Sequence, residues 1–392
     1  MRFDVDVAIV GGGPAGTSTA LHLARRDRIG PARIAVIEKH AHPREKPCAG
    51  AVSTWGVEAL ERIGVTIDVP FVRMRGLRIL KSAEVGSYDR SELGVVVRRA
   101  EFDASLWRRC EHEGVAVSDR EALVGLEKVS GGWRLVTSKR TLTARLVAAC
   151  DGAGSTTRKL LDLREPERKG HLYVTETPYF PGDRGPTSGL CDFDLSDVED
   201  GLEGYYWDFP TVIDGRPAVS RGIYHANITA SRRVKEVLAH ALARRGIAIA
   251  DLQLKPFSTR PFVPATTLAL DGIAFVGEAA GIDRSTGEGI AQAILFGEIA
   301  SRHLARALRL GSSSLDGYAR EVMGSRVGRH LLQSAWLAPR VYGKHGSLYR
   351  SLLLRSEPAR AAGARWYKGE KLSWRTKAKL AGGLVRERLT SI

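Results

Sequence analysis

Three glycines, Gly11, Gly13 and Gly16, punctuate the run Val10-Gly11-Gly12-Gly13-Pro14-Ala15-Gly16, after an apolar stretch and before one with helical spacing. Each position of this G-x-G-x-x-G has a mechanical use. The first glycine permits a tight turn, the second lets a pyrophosphate reach bare backbone, and the third lets helix and strand pack closely. The helix start at Pro14 and Ala15 then turns unpaired N–H groups and the positive dipole end toward the phosphates. Glu38, followed by Lys39, ends the next apolar run, Ile34-Ala35-Val36-Ile37. A carboxylate there can accept from both ribose hydroxyls and repels a 2′-phosphate. The chemistry expected of this segment is dinucleotide binding.

Two further groups of residues have spacing that could serve a site. Gly287 and Gly289 precede the helical run that begins at Ile290, so their backbone N–H groups either stabilise negative charge on a bound group or cap the helix. Tyr205, Trp207 and Phe209 alternate along one stretch, Gly204-Tyr205-Tyr206-Trp207-Asp208-Phe209-Pro210, and so share one face of a strand. They form either an aromatic wall for an apolar substrate or ordinary core.

The elements that must position these residues follow from periodicity. Asp4 to Val10 and Ile34 to Ile37 predict buried parallel strands, joined by a helix that should stop before Gly30-Pro31. A helix is expected from about Glu101 to His112, a buried strand at Leu146 to Cys150, another at Ile273 to Val276, and a helix from Gly289 to about Leu308. Between about Pro166 and Phe262 the composition shifts to aromatics, Pro, Gly and acids with alternating stretches, which predicts antiparallel sheet. Beyond Gly311 the pattern is helical and basic.

Composition narrows the classes. The 392 residues carry a formal net charge of +15, and the segment 338–392 supplies thirteen Lys and Arg against Glu357, Glu370 and Glu387. That excess suits either a solvated helix face or an anionic surface such as lipid headgroups. No run reaches the roughly 18 to 20 apolar residues of a membrane span. The four cysteines, Cys48, Cys110, Cys150 and Cys191, lie far apart. They suit a reducing, cytoplasmic setting, and no metal-ligand spacing joins them to the histidines.

Asp151-Gly152-Ala153-Gly154-Ser155 and Gly277-Glu278-Ala279-Ala280-Gly281 each follow a predicted buried strand. With these elements the chain resembles flavoproteins of the p-hydroxybenzoate hydroxylase fold, which carry a D-G element and a later G-D element. The resemblance implies FAD, with Asp151 and Gly277 at the cofactor and Glu278, in place of the usual Asp, at its ribityl chain. Arg99, followed by Phe102 and Asp103, is similar to that fold's Arg-x-x-Phe-Asp helix start, whose arginine lies beside the cofactor.

Three motifs resemble those of the geranylgeranyl reductase branch. Pro43-Arg44-Glu45-Lys46-Pro47-Cys48-Ala49-Gly50 is similar to its Lys-x-Cys-Gly-Gly element, which implies that Cys48 and Ala49 meet the flavin. The Tyr205 strand is similar to its Tyr-x-Trp-x-Phe-Pro strand, and Thr286-Gly287-Glu288-Gly289-Ile290 to its Thr-Gly-Glu-Gly-Ile turn. Ala49 replaces a Gly, and Arg284 stands where a Pro usually opens the turn. Cys48 is then a proton donor or polar contact near the flavin, or else an inert small core residue.

The expected architecture is α/β: a Rossmann-like FAD-binding domain of the p-hydroxybenzoate hydroxylase type with an inserted antiparallel β-sheet substrate lobe and C-terminal helices. The FAD-binding domain is assigned to 1–75, 95–165 and 268–310, the lobe to 76–94 and 166–267, and a basic helical region to 311–392. The expected activity is reduction of carbon–carbon double bonds in an apolar, isoprenoid-like substrate, with Cys48, Tyr205 and Trp207 as catalytic residues. NAD(P)H or a protein donor would act as transient reductant, because no second G-x-G-x-x-G is present. Two alternatives remain open: a monooxygenase, or less readily a halogenase, acting on a natural-product scaffold; and a non-enzymatic flavin protein whose basic tail binds RNA or a membrane. Nucleic acid is not expected as a partner, since the tail shows no aromatic platform or RNA-binding motif. A peripheral place on a membrane surface is compatible with the tail.

Overall fold

A computed structural model describes residues 2–164, 169–227 and 234–390. The boundary expected between 165 and 166 lies outside the described residues. At the centre, Val5–Val10, Ile34–Ile37, Ile273–Phe275 and the last four residues of Thr141–Ala149 are almost wholly buried. Strands apolar on both faces must be covered on both sides, which is the signature of parallel sheet. Their neighbours are indeed parallel, with Val10 beside Ile37 and Ala149, and Ala149 beside Phe275. The eight-stranded sheet runs Ala269–Leu270, Ile273–Phe275, Thr141–Ala149, Val5–Val10, Ile34–Ile37, Ala116–Ser118, and the Leu123–Val129/Gly132–Thr137 hairpin pairs with Thr141–Ala149.

Two helices pack together against this sheet. Pro14–Leu21 starts one residue after Gly13, and Ile290–Arg309 packs beside it, tied by the Ser18 hydroxyl donating to the Ile294 carbonyl at 2.9 Å. The first helix ends sooner than its apolar spacing suggests. It passes at His22–Arg26 into a π-helical turn, where the Asp27 N–H reaches back five residues to the His22 carbonyl. The Arg99–His112 helix starts two residues before its expected beginning, so that Arg99 occupies the first turn.

A second, seven-stranded sheet has the order Lys255–Thr259, Gly170–Thr177, Arg216–His225, Gly204–Ile213, Leu190–Asp194, Gly76–Lys81, Glu84–Tyr88. It is antiparallel except at one place: Leu190–Asp194 pairs in parallel with Gly76–Lys81. The expected antiparallel lobe is present, with this one parallel pairing added to it. The two strands belong to separate excursions of the chain, so no hairpin dictates their relative direction. Along Gly204–Ile213 the period of two sorts the side chains. Tyr205, Trp207 and Phe209 join one core with Phe193 and Tyr224, while Tyr206 joins another with Leu238 and Leu242. Asp208, on the Tyr206 side, is neutralised by Arg221 at 2.6 Å and Arg245 at 2.5 Å.

A small third sheet, Ala51–Ser53, Gly94–Val97 and Phe71–Met74, lies where the chain passes between the two larger ones. The C-terminal helices do not trail away from the fold. Ser347–Arg355 and Glu357–Tyr367 pack on the outer strand Glu84–Tyr88 of the second sheet. Trp374–Thr390 lies on those two helices and is largely exposed. Among the described residues no helix is long and apolar enough to cross a membrane.

Candidate active site

The turn after Val5–Val10 is shaped by close backbone approach. Gly11 has φ +108°, and a Cβ there would sit 2.4 Å from the Cys150 carbonyl oxygen; a Cβ on Gly16 would sit 1.9 Å from the Gly11 carbonyl oxygen. Gly13 is different. A Cβ on it would meet only the tip of Arg44, so its bareness keeps a surface open. Gly13, Pro14 and Ala15 face a cleft of about 270 Å³ between the two large sheets.

Glu38 lines the same cleft and is 5% exposed. Its carboxylate accepts from the Gly12 N–H at 2.8 Å and the His40 N–H at 3.0 Å, which fixes its place at the end of the Ile34–Ile37 strand. Lys39 also borders the cleft. Beyond Glu38 runs a charge relay that residue spacing did not reveal. Arg44 lies 3.7 Å from Glu38 and 3.1 Å from Asp103, and Asp103 holds Arg99 through two bonds of 2.8 Å. Burial pulls against the charge on Arg99, but Asp103 overcomes it and raises the guanidinium pKa above its ordinary value. Arg99 is thus a fixed cation on the cleft wall.

On the opposite wall Asp151 accepts from the Thr157 N–H and hydroxyl at 2.8 and 2.9 Å through Oδ2. Its other oxygen, Oδ1, is buried without a partner, and a Cβ on Gly154 would meet nothing within 4 Å. An unpaired buried acceptor beside open backbone is what a polar ligand would complete. Glu278 faces Lys46, whose Nζ lies 3.4 Å from Oε2 and 3.1 Å from the centroid of the Phe257 ring. Burial lowers the pKa of Lys46, and Glu278 opposes that shift. This pair, unlike the Gly277-Glu278 motif, was not legible from spacing; it joins residues 232 apart.

The far end of the cleft is the turn 283–289. Asp283, fully enclosed, accepts from the Ser285 N–H and hydroxyl, the Thr286 N–H and hydroxyl, the Ser334 hydroxyl and His330 Nε2. Burial alone would raise its pKa, but His330, Ser334 and Thr286 outweigh it and bring it down to about 2. This anion clamps the turn from below. Gly287, Gly289 and Ile290 therefore meet the cleft in one fixed arrangement.

A second cavity, of about 50 Å³, adjoins it. Tyr205, Trp207, Phe209, Phe193 and Tyr224 form its aromatic walls, with ring centroids 5.0 to 6.5 Å apart. Such spacing is that of packed aromatic pairs. Cys48, Leu172, Gly287, Gly289 and Ile290 border both cavities. Cys48 Sγ accepts from the Gly50 N–H at 3.4 Å, and Ala49 lies on the aromatic side. Cys48, Tyr205 and Trp207 therefore share one wall, Gly277 sits behind the cleft against Ala15, and every other residue expected at the cofactor borders the cleft or packs against its lining.

Comparison with known proteins agrees with this geometry. Residues 4–177 match the FAD binding domain family. The chain is 24% identical over 361 residues to digeranylgeranylglycerophospholipid reductase 1 of Methanothermobacter thermautotrophicus, covering 86% of this chain and 87% of that one. A digeranylgeranylglycerophospholipid reductase of Methanothrix thermoacetophila is 24% identical over 356 residues, with 83% and 85% covered. Among solved structures, a geranylgeranyl bacteriochlorophyll reductase-like protein of Thermoplasma acidophilum superimposes with a TM-score of 0.74 at 21% identity, over 92% of this chain and 95% of that one. A flavin-dependent brominase gives 0.73 at 15% identity over the full length of both. A cleft bounded by the Gly11–Gly16 turn, Glu38 and Asp151 inside a matched FAD-binding domain leads to one conclusion: the chain is an FAD-dependent oxidoreductase of the p-hydroxybenzoate hydroxylase fold, similar over most of its length to the geranylgeranyl-type reductases.

Proposed function

We propose that this oxidoreductase reduces carbon–carbon double bonds of an apolar, isoprenoid-like substrate. The observation that carries the reading is the shared border of the two cavities: Cys48, Gly287, Gly289 and Ile290 face the cofactor cleft on one side and an aromatic pocket on the other. The names of the relatives point to polyprenyl substrates.

FAD in the cleft supplies two-electron redox chemistry at that border. The amides at Gly13 and Ala15 would bind its diphosphate, and Glu38 would take the adenosine sugar. Asp151, through its unpaired Oδ1, and Glu278 hold the remaining polar parts. The N–H groups of Gly287 and Gly289, at the start of the Ile290–Arg309 helix, would favour negative charge on a group bound at that border. Tyr205, Trp207 and Phe209 orient the double bond and exclude water. Cys48, at the border, holds a transferable proton. The electrons would be restored between turnovers by a transient reductant, NAD(P)H or a protein donor.

The test is single-turnover. Enzyme reduced anaerobically is mixed with a polyprenyl lipid, and flavin absorbance and product are followed. The reading expects reoxidation by the lipid with oxygen absent, with one double bond saturated for each flavin reoxidised. A reduced enzyme that stays reduced, or that reoxidises only when oxygen is admitted, contradicts it.

A further inference from the structure

The polar tips in the aromatic pocket can be accounted for one by one. The Tyr205 hydroxyl donates to the Thr286 carbonyl at 2.5 Å, and Tyr224 reaches the carbonyls of Asp283 and Arg284 at 3.4 Å. Trp207 Nε1 donates to the Ser220 hydroxyl at 3.4 Å, and the Thr286 hydroxyl to Asp283 at 2.6 Å. Each of these donors is committed.

Tyr367 is not. It is the last residue of the Glu357–Tyr367 helix, it lines the pocket, and it is 6% exposed. Its hydroxyl makes no hydrogen bond to any described residue. Burial, and then the neighbouring Glu288, hold its pKa well above the ordinary tyrosine value, so it is a neutral donor at any working pH. The residue is buried, yet its oxygen is not one of the fully enclosed unpaired atoms, so the hydroxyl still meets open space at the pocket it lines, where a ligand can complete it. Phenylalanine would pack the same space without an unsatisfied hydroxyl.

The surroundings narrow the partner. No Lys or Arg lines the pocket. Glu288, on the same wall, has an unpartnered Oε2. Burial raises its pKa to about 8, so near neutrality it is largely an uncharged acid. A phosphate or carboxylate would find no counter-charge here.

We propose that Tyr367 contacts the substrate, its hydroxyl donating to a neutral oxygen acceptor, a hydroxyl, ether or carbonyl, that an otherwise apolar substrate carries near its reacting double bond. This rests on the alkene-reducing reading and narrows it: a charged head group stays outside the pocket, and an oxygen function enters. It also makes the C-terminal helices part of the site.

The experiment compares wild-type holoenzyme with Tyr367→Phe, which removes only the hydroxyl, using a C20 polyprenyl alcohol and the hydrocarbon of the same chain. Binding is read from tryptophan fluorescence and the flavin spectrum, turnover from anaerobic reoxidation, and integrity from the thermal midpoint. The expected result is weaker binding of the alcohol, by about tenfold or more, with binding of the hydrocarbon unchanged or improved. Equal effects on both probes, or none on either, overturn the inference while leaving alkene reduction intact. If neither probe binds or reoxidises the wild type, alkene reduction itself falls, and this inference with it.

Discussion

Glu288 shows how one residue can carry a measurable charge history. Its carboxyl accepts from the Ala291 N–H at 3.1 Å but is otherwise enclosed, with Asp283 nearby, and its pKa rises from 4.5 to about 8. Between those values the unfolded chain has released the proton and the folded chain keeps it, so rising pH favours unfolding. The stability linked to this group is present below about pH 4.5 and is lost as pH climbs through about 8. Glu288→Gln keeps the acceptor and removes the titration. Its thermal midpoint relative to wild type is expected to improve on going from pH 5 to pH 8, by on the order of a few degrees. An offset that is the same at both values contradicts the assignment. Asp283 acts with the opposite sign, but its titration near 2 lies outside this window and is common to both proteins.

At the scale of elements, the strand-turn-helix at the N-terminus separates glycines that serve packing from one that serves the ligand. Gly11 and Gly16 are held against backbone, so a side chain at either opposes the fold. Gly13 already has φ −82°, which any residue tolerates, and a Cβ there would face only the flexible end of Arg44. Gly13→Ala is therefore expected to stay folded, with a thermal midpoint close to wild type, yet to bind FAD at least about tenfold more weakly, because its methyl stands where diphosphate meets amide. Unchanged flavin affinity would place the diphosphate elsewhere. Much of this level is legible in the order of residues alone. The Gly11–Gly16 turn, Glu38, Asp151, the 287–289 turn and the aromatic alternation at 205, 207 and 209 are local patterns, each contained within a few residues. The parts that spacing does not show are contacts between distant residues. Asp283 meets His330 and Ser334 across 47 and 51 positions, Lys46 meets Glu278 across 232, and Tyr367 enters the pocket from a helix that reads as an ordinary basic tail. The early end of the first helix is likewise hidden, since a π-helical turn keeps the apolar spacing that suggests α-helix.

At the scale of the whole molecule, three separated stretches of chain converge on one border. The parallel sheet brings the cofactor cleft, the second sheet brings the aromatic wall, and the C-terminal helices close the pocket with Tyr367 and brace the turn 283–289 through Ser334 and Tyr342. The basic charge of the last segment is thus divided between helices that build the site and an exposed final helix. Everything proposed about substrate depends on flavin occupying the cleft between Gly13, Glu38 and Asp151. The most direct measurement is the visible spectrum of the purified protein, followed by titration with FAD. The account predicts bands near about 375 and 450 nm, from bound or added FAD at one equivalent per chain, and their loss of affinity in Gly13→Ala. Folded wild-type protein that is colourless and takes up no FAD would contradict it.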